Sequence, residues 1–331
     1  MKQFINVFLV GSTASVLLLL ALNGCQNQAT APQPVRQSAN ARVLTGQTAT
    51  QIVVNSPVHT LLEAAVIRAG LADALSSGTL TLFAPTDDAF RRAGFADENA
   101  IRNASIPALT RILLYHAIGG NSFESQFIPE AQVEFKTLQG DEFLITRSGG
   151  NVSVNGIRVT QADLIATNGV VHVIDRVLMP PMGNVVETAV ANPNLTYLVA
   201  AVVRASQGPV DVMRFLGTTP RLTVIAPTNQ AFIDAGFPTI ASIQAADPAV
   251  LTRILTYHVV AVPQFRRFYS ANLVNGSVPT VQGGNVMVAL GSGPVGVTVK
   301  GISNSAPSNV VIPDVHTLNG VVHVIDRVLL P

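Results

Sequence analysis

Apolar residues recur at helical spacing in two stretches of the chain. Leu195, Leu198, Val199, Val202 and Val203 follow an i, i+3, i+4, i+7, i+8 pattern, and Leu62, Ala65, Val66 and Ala69 do the same earlier. The spacing predicts an amphipathic helix at each place. Residues 79–84 and 221–226 then read as short strands, stopped by Pro85 and Pro227. Thr86 and Thr228 stand as N-caps of a following helix, and Asp87 and Asp88 suit the positive end of its dipole. Read as a carboxylate pair, the two aspartates would be candidates for acid–base chemistry. Asn229 and Gln230 take their places in the second stretch, so capping is the reading that fits both. Farther on, residues 142–146, 152–154, 286–290 and 295–300 are β-rich, and 170–177 is a nearly continuous apolar run broken by His172, Asp175 and Arg176. These read as strands. The predicted class is α+β, with helices first and sheet after, twice over.

The doubling is literal. NGVVHVIDRVLMP at 168–180 returns as NGVVHVIDRVLLP at 319–331, FAPTDDAF at 83–90 pairs with IAPTNQAF at 225–232, and RILLYHAI at 111–118 pairs with RILTYHVV at 253–260. A period this long means tandem domains rather than a solenoid. The second copy carries extra residues around 206–211 and between 283 and 313, both rich in loop-forming types. Domains are expected at 51–180 and 184–331, with the boundary near Pro180 to Gly183.

Before the first copy the pattern changes character. A short basic start at Lys2, an apolar stretch at 16–22 and the sequence Leu-Asn-Gly-Cys ending at Cys25 read as a signal peptide over 1–24. It resembles a bacterial lipoprotein signal, which implies that Cys25 is lipidated and becomes the new N-terminus. Attached acyl chains contribute about 0.8 kcal/mol per buried CH₂, so several make attachment lasting. Residues 25–50 are polar and without apolar periodicity, and read as a flexible tether reaching about 25 to 30 Å. Cys25 is the one cysteine among 331 residues, so no intramolecular disulfide and no Cys-based zinc site can form. With 48% hydrophobic and 12% charged residues the chain can bury two cores. Removing Lys2 with the leader leaves 19 basic against 19 acidic residues, from 20 and 19. That balance gives no electrostatic footprint for nucleic acid.

The repeated blocks resemble the fasciclin family. TLFAPTDDAF at 81–90 matches its first conserved block, Tyr115 and His116 its Tyr-His motif, and GVVHVIDRVLMP at 169–180 its second block. The resemblance implies two tandem domains, each a β-wedge or sandwich of about seven strands with a helical cluster. It also implies an extracellular or surface-attached protein acting in adhesion, without general catalytic activity. Carried over residue by residue, it marks Tyr115, His116, Tyr257 and His258 as candidate binding residues.

Other candidates for chemistry have plainer readings. His172 and Asp175 are three apart on a strand and face opposite sides, so they form no dyad. His116 and His258 close apolar helical runs, where buried histidines are held by hydrogen bonds. No spacing among the histidines favours a metal. GSGPVG at 291–296 has the letters of a dinucleotide loop, but a strand follows it and Pro294 removes a donor, so it reads as a hairpin turn. No cofactor is predicted. The expected function is a non-enzymatic, lipid-anchored adhesion or matrix-binding module at the outer membrane or cell surface, meeting a surface or matrix protein or polysaccharide. The alternatives are a lipoprotein binding a small ligand or lipid in an apolar pocket between the helices and sheet of one copy, and a hydrolase with a perturbed His or carboxylate in a cleft.

Overall fold

The computed structural model describes residues 46–121, 123–129, 131–261, 267–291 and 296–331. The leader and Cys25 lie outside them, as does most of the tether. The first copy runs α1 (Ala49–Val54), α2 (Thr60–Ala69), α3 (Ala72–Ser76), β1 (Leu80–Pro85), α4 (Asp87–Arg92), α5 (Glu98–Asn103), α6 (Ile106–Tyr115) and β2 (Ala117–Gly119). It continues through β3 (Gln132–Lys136), β4 (Glu142–Ser148), β5 (Asn151–Val154), β6 (Ile157–Ala166) and β7 (Gly169–Ile174). The second copy repeats the order with α7 (Val185–Val190), α8 (Thr196–Ala205), α9 (Val212–Thr218), β8 (Leu222–Pro227), α10 (Asn229–Asp234), α11 (Ile240–Ala245), α12 (Pro248–Tyr257) and β9 (Val259–Val260). Its remaining strands are β10 (Gly276–Pro279), β11 (Asn285–Leu290), β12 (Val297–Lys300), β13 (Ser308–Thr317) and β14 (Gly320–Ile325). The class is α+β, and each copy holds one seven-stranded sheet, ordered β2-β1-β7-β6-β5-β4-β3 and β10-β11-β12-β13-β14-β8-β9.

Each sheet holds one parallel pair, β1 with β7 and β14 with β8, set one strand in from an edge in otherwise antiparallel surroundings. All six positions of β1 and of β7 are buried, which is why their sequences read as apolar runs rather than alternations. Leu80, Leu82 and Ala84 face a core filled by the helices, while Phe83 and Ile174 face a second core closed by the curled outer strands. The second copy divides its core the same way.

The caps follow the sequence. Thr86 and Thr228 accept from the backbone N–H groups of Ala89 and Ala231. Asp87 does more than suit its own helix: its carboxylate accepts from Leu61 N at 2.8 Å and from the Thr60 hydroxyl at 2.9 Å, capping α2 across the core. Asn229 accepts from Tyr197 N at 3.0 Å in the second copy, so the Asp-to-Asn difference preserves the acceptor. The segment read as a dinucleotide-like loop joins two antiparallel strands, with Gly291 N donating to Gly296 O; its residues 292–295 lie outside the described set.

Candidate functional site

The Tyr-His residues are core residues. Tyr115, His116, Tyr257 and His258 are all buried. His116 donates from Nδ1 to Ile112 O at 2.8 Å and accepts at Nε2 from Leu178 N at 2.9 Å; His258 makes the same pair of bonds with Ile254 O and Leu329 N. Each therefore staples the end of a helix to the segment after the last strand. Burial holds both imidazoles neutral, with pKa values pushed down to about 4.

His172 finds a carboxylate, but not Asp175. β6 bulges between Gln161 and Leu164, and β13 between Ile312 and Val315; Asp163 and Asp314 occupy the bulges at φ of 62° and 60°. Aspartate tolerates this left-handed conformation better than most residues. The bulge turns each carboxylate toward a loop serine: Ser125 N donates to Asp163 Oδ1 at 2.6 Å and the Ser125 hydroxyl donates to Oδ2. His172 accepts at Nδ1 from Asp163 N at 3.3 Å and donates from Nε2 to Phe123 O at 2.8 Å. Ser270, Asp314, His323 and Phe268 repeat the arrangement in the second copy. The three residue types of a hydrolytic triad are present, yet the serine hydroxyl is spent on the aspartate and both imidazole nitrogens on backbone. The cluster holds a bulge and lacks an activated nucleophile. The sequence carried a signal for it: Asp stands nine positions before His in both copies.

A seam joins the copies, built around the candidate Tyr115 from residues to which sequence reasoning gave no role. Tyr115 donates to Glu142 O at 3.0 Å and accepts from Asn155 Nδ2 at 2.9 Å. Tyr269, from the second copy, reaches Asn155 Oδ1 at 3.4 Å and donates to His316 Nδ1 at 2.5 Å. Burial and the nearby Arg267 guanidinium push His316 down to about 3, and burial raises the hydroxyl pKa of Tyr115 and Tyr269. Glu134 takes two bonds from Arg221, at 3.2 and 3.0 Å, and lies 3.9 Å from the buried Arg267. Arg176, just past β7, donates to Gly156 O at 3.2 Å and to Asp314 at 3.3 Å. Gly156, at φ 76°, sits so close that a Cβ there would lie 2.7 Å from Tyr269 Cβ.

Open space follows the same division. The cavities between helices and sheet within each copy hold about 30 and 40 Å³, room for a water molecule. The alternative of an apolar pocket between the helices and sheet of one copy has only this water-sized space to draw on. A cleft of about 500 Å³ lies instead along the seam, bordered by Arg176, Met179, Met182, Thr188, Asn192 and His316. Among the described residues no helix is long and apolar enough to cross a membrane, and no three His, Cys, Asp or Glu side chains converge as metal ligands.

Comparison with known proteins agrees with this duplicated architecture. The profile described as "Fasciclin domain" matches residues 57–180 and again 193–331. The chain belongs to the fasciclin family. This fasciclin pair is 31% identical to human periostin over 194 residues, covering 56% of the chain and 23% of periostin. It is 38% identical to the Synechocystis protein sll1483 over 141 residues, 41% of the chain and 74% of that protein. It is 40% identical to the pig transforming growth factor-beta-induced protein ig-h3 over 122 residues, 37% of the chain and 17% of that protein. The chain thus spans under a quarter of the two animal relatives. Among solved structures, the FAS1 domain pair of the insect cell adhesion molecule fasciclin I covers 82% of the chain and 96% of its own, with 21% identity and a TM-score of 0.37.

Proposed function

We propose that this fasciclin pair is a non-catalytic adhesion or matrix-binding module, exported and held at the cell surface through lipidated Cys25, meeting a surface or matrix protein or polysaccharide. The observation that carries this reading is the state of the chemistry-bearing groups. Both copies of the Ser-Asp-His cluster and both Tyr-His pairs are committed to internal hydrogen bonds, while two complete domains of an adhesion-associated family are locked together by a polar seam. Joined copies offer two faces to one surface at once, which raises avidity without a strong single contact. Since Tyr115, His116, Tyr257 and His258 are buried, contact with a partner falls to the exposed loops around them.

Protease treatment of intact cells, with acylation followed in parallel, tests the reading. Wild type is expected to be acylated and shaved, and Cys25→Ala unacylated and released. An acylated wild type fully protected from protease faces the periplasm, which defeats the surface assignment. The seam cleft favours a second reading, an amphipathic small ligand, because Thr188 Oγ1 at its wall is buried without a hydrogen-bond partner. A fluorescent fatty acid that fails to bind the purified chain would remove lipid from that class.

A further inference from the structure

The seam shows what the Ser-Asp-His cluster accepts. In the second copy the Asp314 carboxylate is 2% exposed because Arg176 of the first copy covers it. In the first copy the counterpart Asp163 has the same serine and histidine neighbours, is 30% exposed, and is approached by no Lys or Arg among the described residues. A carboxylate given one hydrogen bond per oxygen retains lone pairs for a guanidinium. The matching cation is also present: Arg327 occupies in the second copy the place of Arg176 in the first, and it is exposed, with no ion-pair partner among the described residues.

The surroundings of the two charges have diverged in a complementary way. In the seam, Asn155 at the β5–β6 turn meets Tyr269 beside His316, polar against polar. In the second copy the turn is replaced by residues 301–307, tied down by Asn304 to Val328 O and Leu330 N. There Ile302 N donates to the Tyr257 hydroxyl, where Asn155 donates to that of Tyr115 in the first copy. The Ile302 side chain stands out from this loop, 81% exposed. The counterpart of His316 in the first copy is Ile165. The seam cluster of Asn155, Tyr269 and His316 thus has as its counterparts Ile302 at one outer end and, at the other, Ile165 beside the buried Glu124 that stands in place of Tyr269.

We propose that the Asp163 face of the first copy is a docking surface for a second copy of this chain, which inserts Arg327 at Asp163 and lays Ile302 against Ile165. The contact joins unlike surfaces, so it leaves a free end of each kind and propagates head to tail. A single exposed ion pair would be too weak to hold it; the buried isoleucines supply the non-polar part. This inference does not depend on what the module adheres to.

Mild oxidation of membranes from cells expressing the full chain with Ile165→Cys and Ile302→Cys tests the proposal by non-reducing electrophoresis. A ladder of linked multimers is expected, reduced about tenfold or more by Asp163→Arg and restored by adding Arg327→Asp, as for a close interfacial charge pair. Pairing Ile302→Cys with Ile67→Cys, exposed elsewhere, is expected to give no ladder. Absence of the first ladder, its indifference to charge reversal, or an equal ladder from the Ile67 control would overturn the proposal. Should the cysteine variants misfold, sedimentation of the detergent-solubilised chain decides. Wild type and the double reversal are expected to associate with rising concentration, and either single reversal to remain monomeric. A wild type that stays monomeric throughout would also overturn it.

Discussion

Asp87 shows how one side chain can carry a role that its neighbours in sequence do not announce. Its carboxylate caps α2, a helix that ends well before β1 begins, and so ties the entry of the helical cluster to the exit of the central strand. Asp87→Ala is expected to lower stability by about 1 to 2 kcal/mol, the range for a lost N-cap acceptor. Asp87→Asn should cost within about 0.5 kcal/mol, because Asn229 already does the work in the second copy. Urea unfolding of the two variants beside wild type checks this; equal losses would mean that charge, not the acceptor, matters. Capping at 86–88 was legible because the two copies could be compared position by position. The helix served by Asp87 was not, since a cap reaching 26 residues back leaves no local spacing to read.

At the scale of elements, the fully buried parallel pair in each sheet decides what is tolerated. Gly169 opens β7 at φ 150°, and a Cβ there would lie 1.8 Å from Leu80 O, inside the β1–β7 ladder. Gly169→Ala should destabilise the chain by about 3 kcal/mol, combining backbone strain with the forced separation of the strands. Gly70→Ala should cost about 1 kcal/mol, since that helix-terminal glycine needs only its left-handed φ of 67° and has open space around it. Chemical denaturation of both variants separates these outcomes, and similar losses would argue against steric control of the ladder. The central strands were readable as apolar runs because both their faces are covered. β6 and β13 were missed because their bulges break the two-residue alternation. The same bulges bring Asp163 to His172 from the neighbouring strand, a partnership invisible to an argument about one strand at a time. Short helices such as α1 and α7 have too few turns to show a period.

For the whole molecule, acid sensitivity follows from the buried imidazoles. His116 and His258 fall to about 4 and His316 to about 3, against an ordinary value of 6.5. The unfolded chain therefore binds more protons than the folded one below pH 6.5. Stability is fully present above that value and is lost as pH falls from about 6.5 toward 4, on the order of 3 kcal/mol for each of His116 and His258. Urea midpoints should drop steeply across this window, and a midpoint unchanged between pH 7 and pH 4.5 would refute the assignment. His316→Gln should flatten the lower part of the curve, because that group titrates last. The two-domain plan and its family were evident in the repeated blocks. The seam was not, because it is made of positions where the copies differ, such as Tyr269 against Glu124 and His316 against Ile165, and a repeat draws the eye to what is the same.

The parallel pair of each sheet also sets a timetable. β1 is flanked by β7, whose pairing begins at Gly169 opposite Leu80, 169 − 80 = 89 positions later. Closing so long a loop is entropically slow, and the helices on one face cannot seal their core until the strand arrives. A ribosome that has released the helical half of the first copy has released a segment still without its keystone. On the export route proposed above, that delay is protective: the late strand keeps each half pliable until the crossing is done.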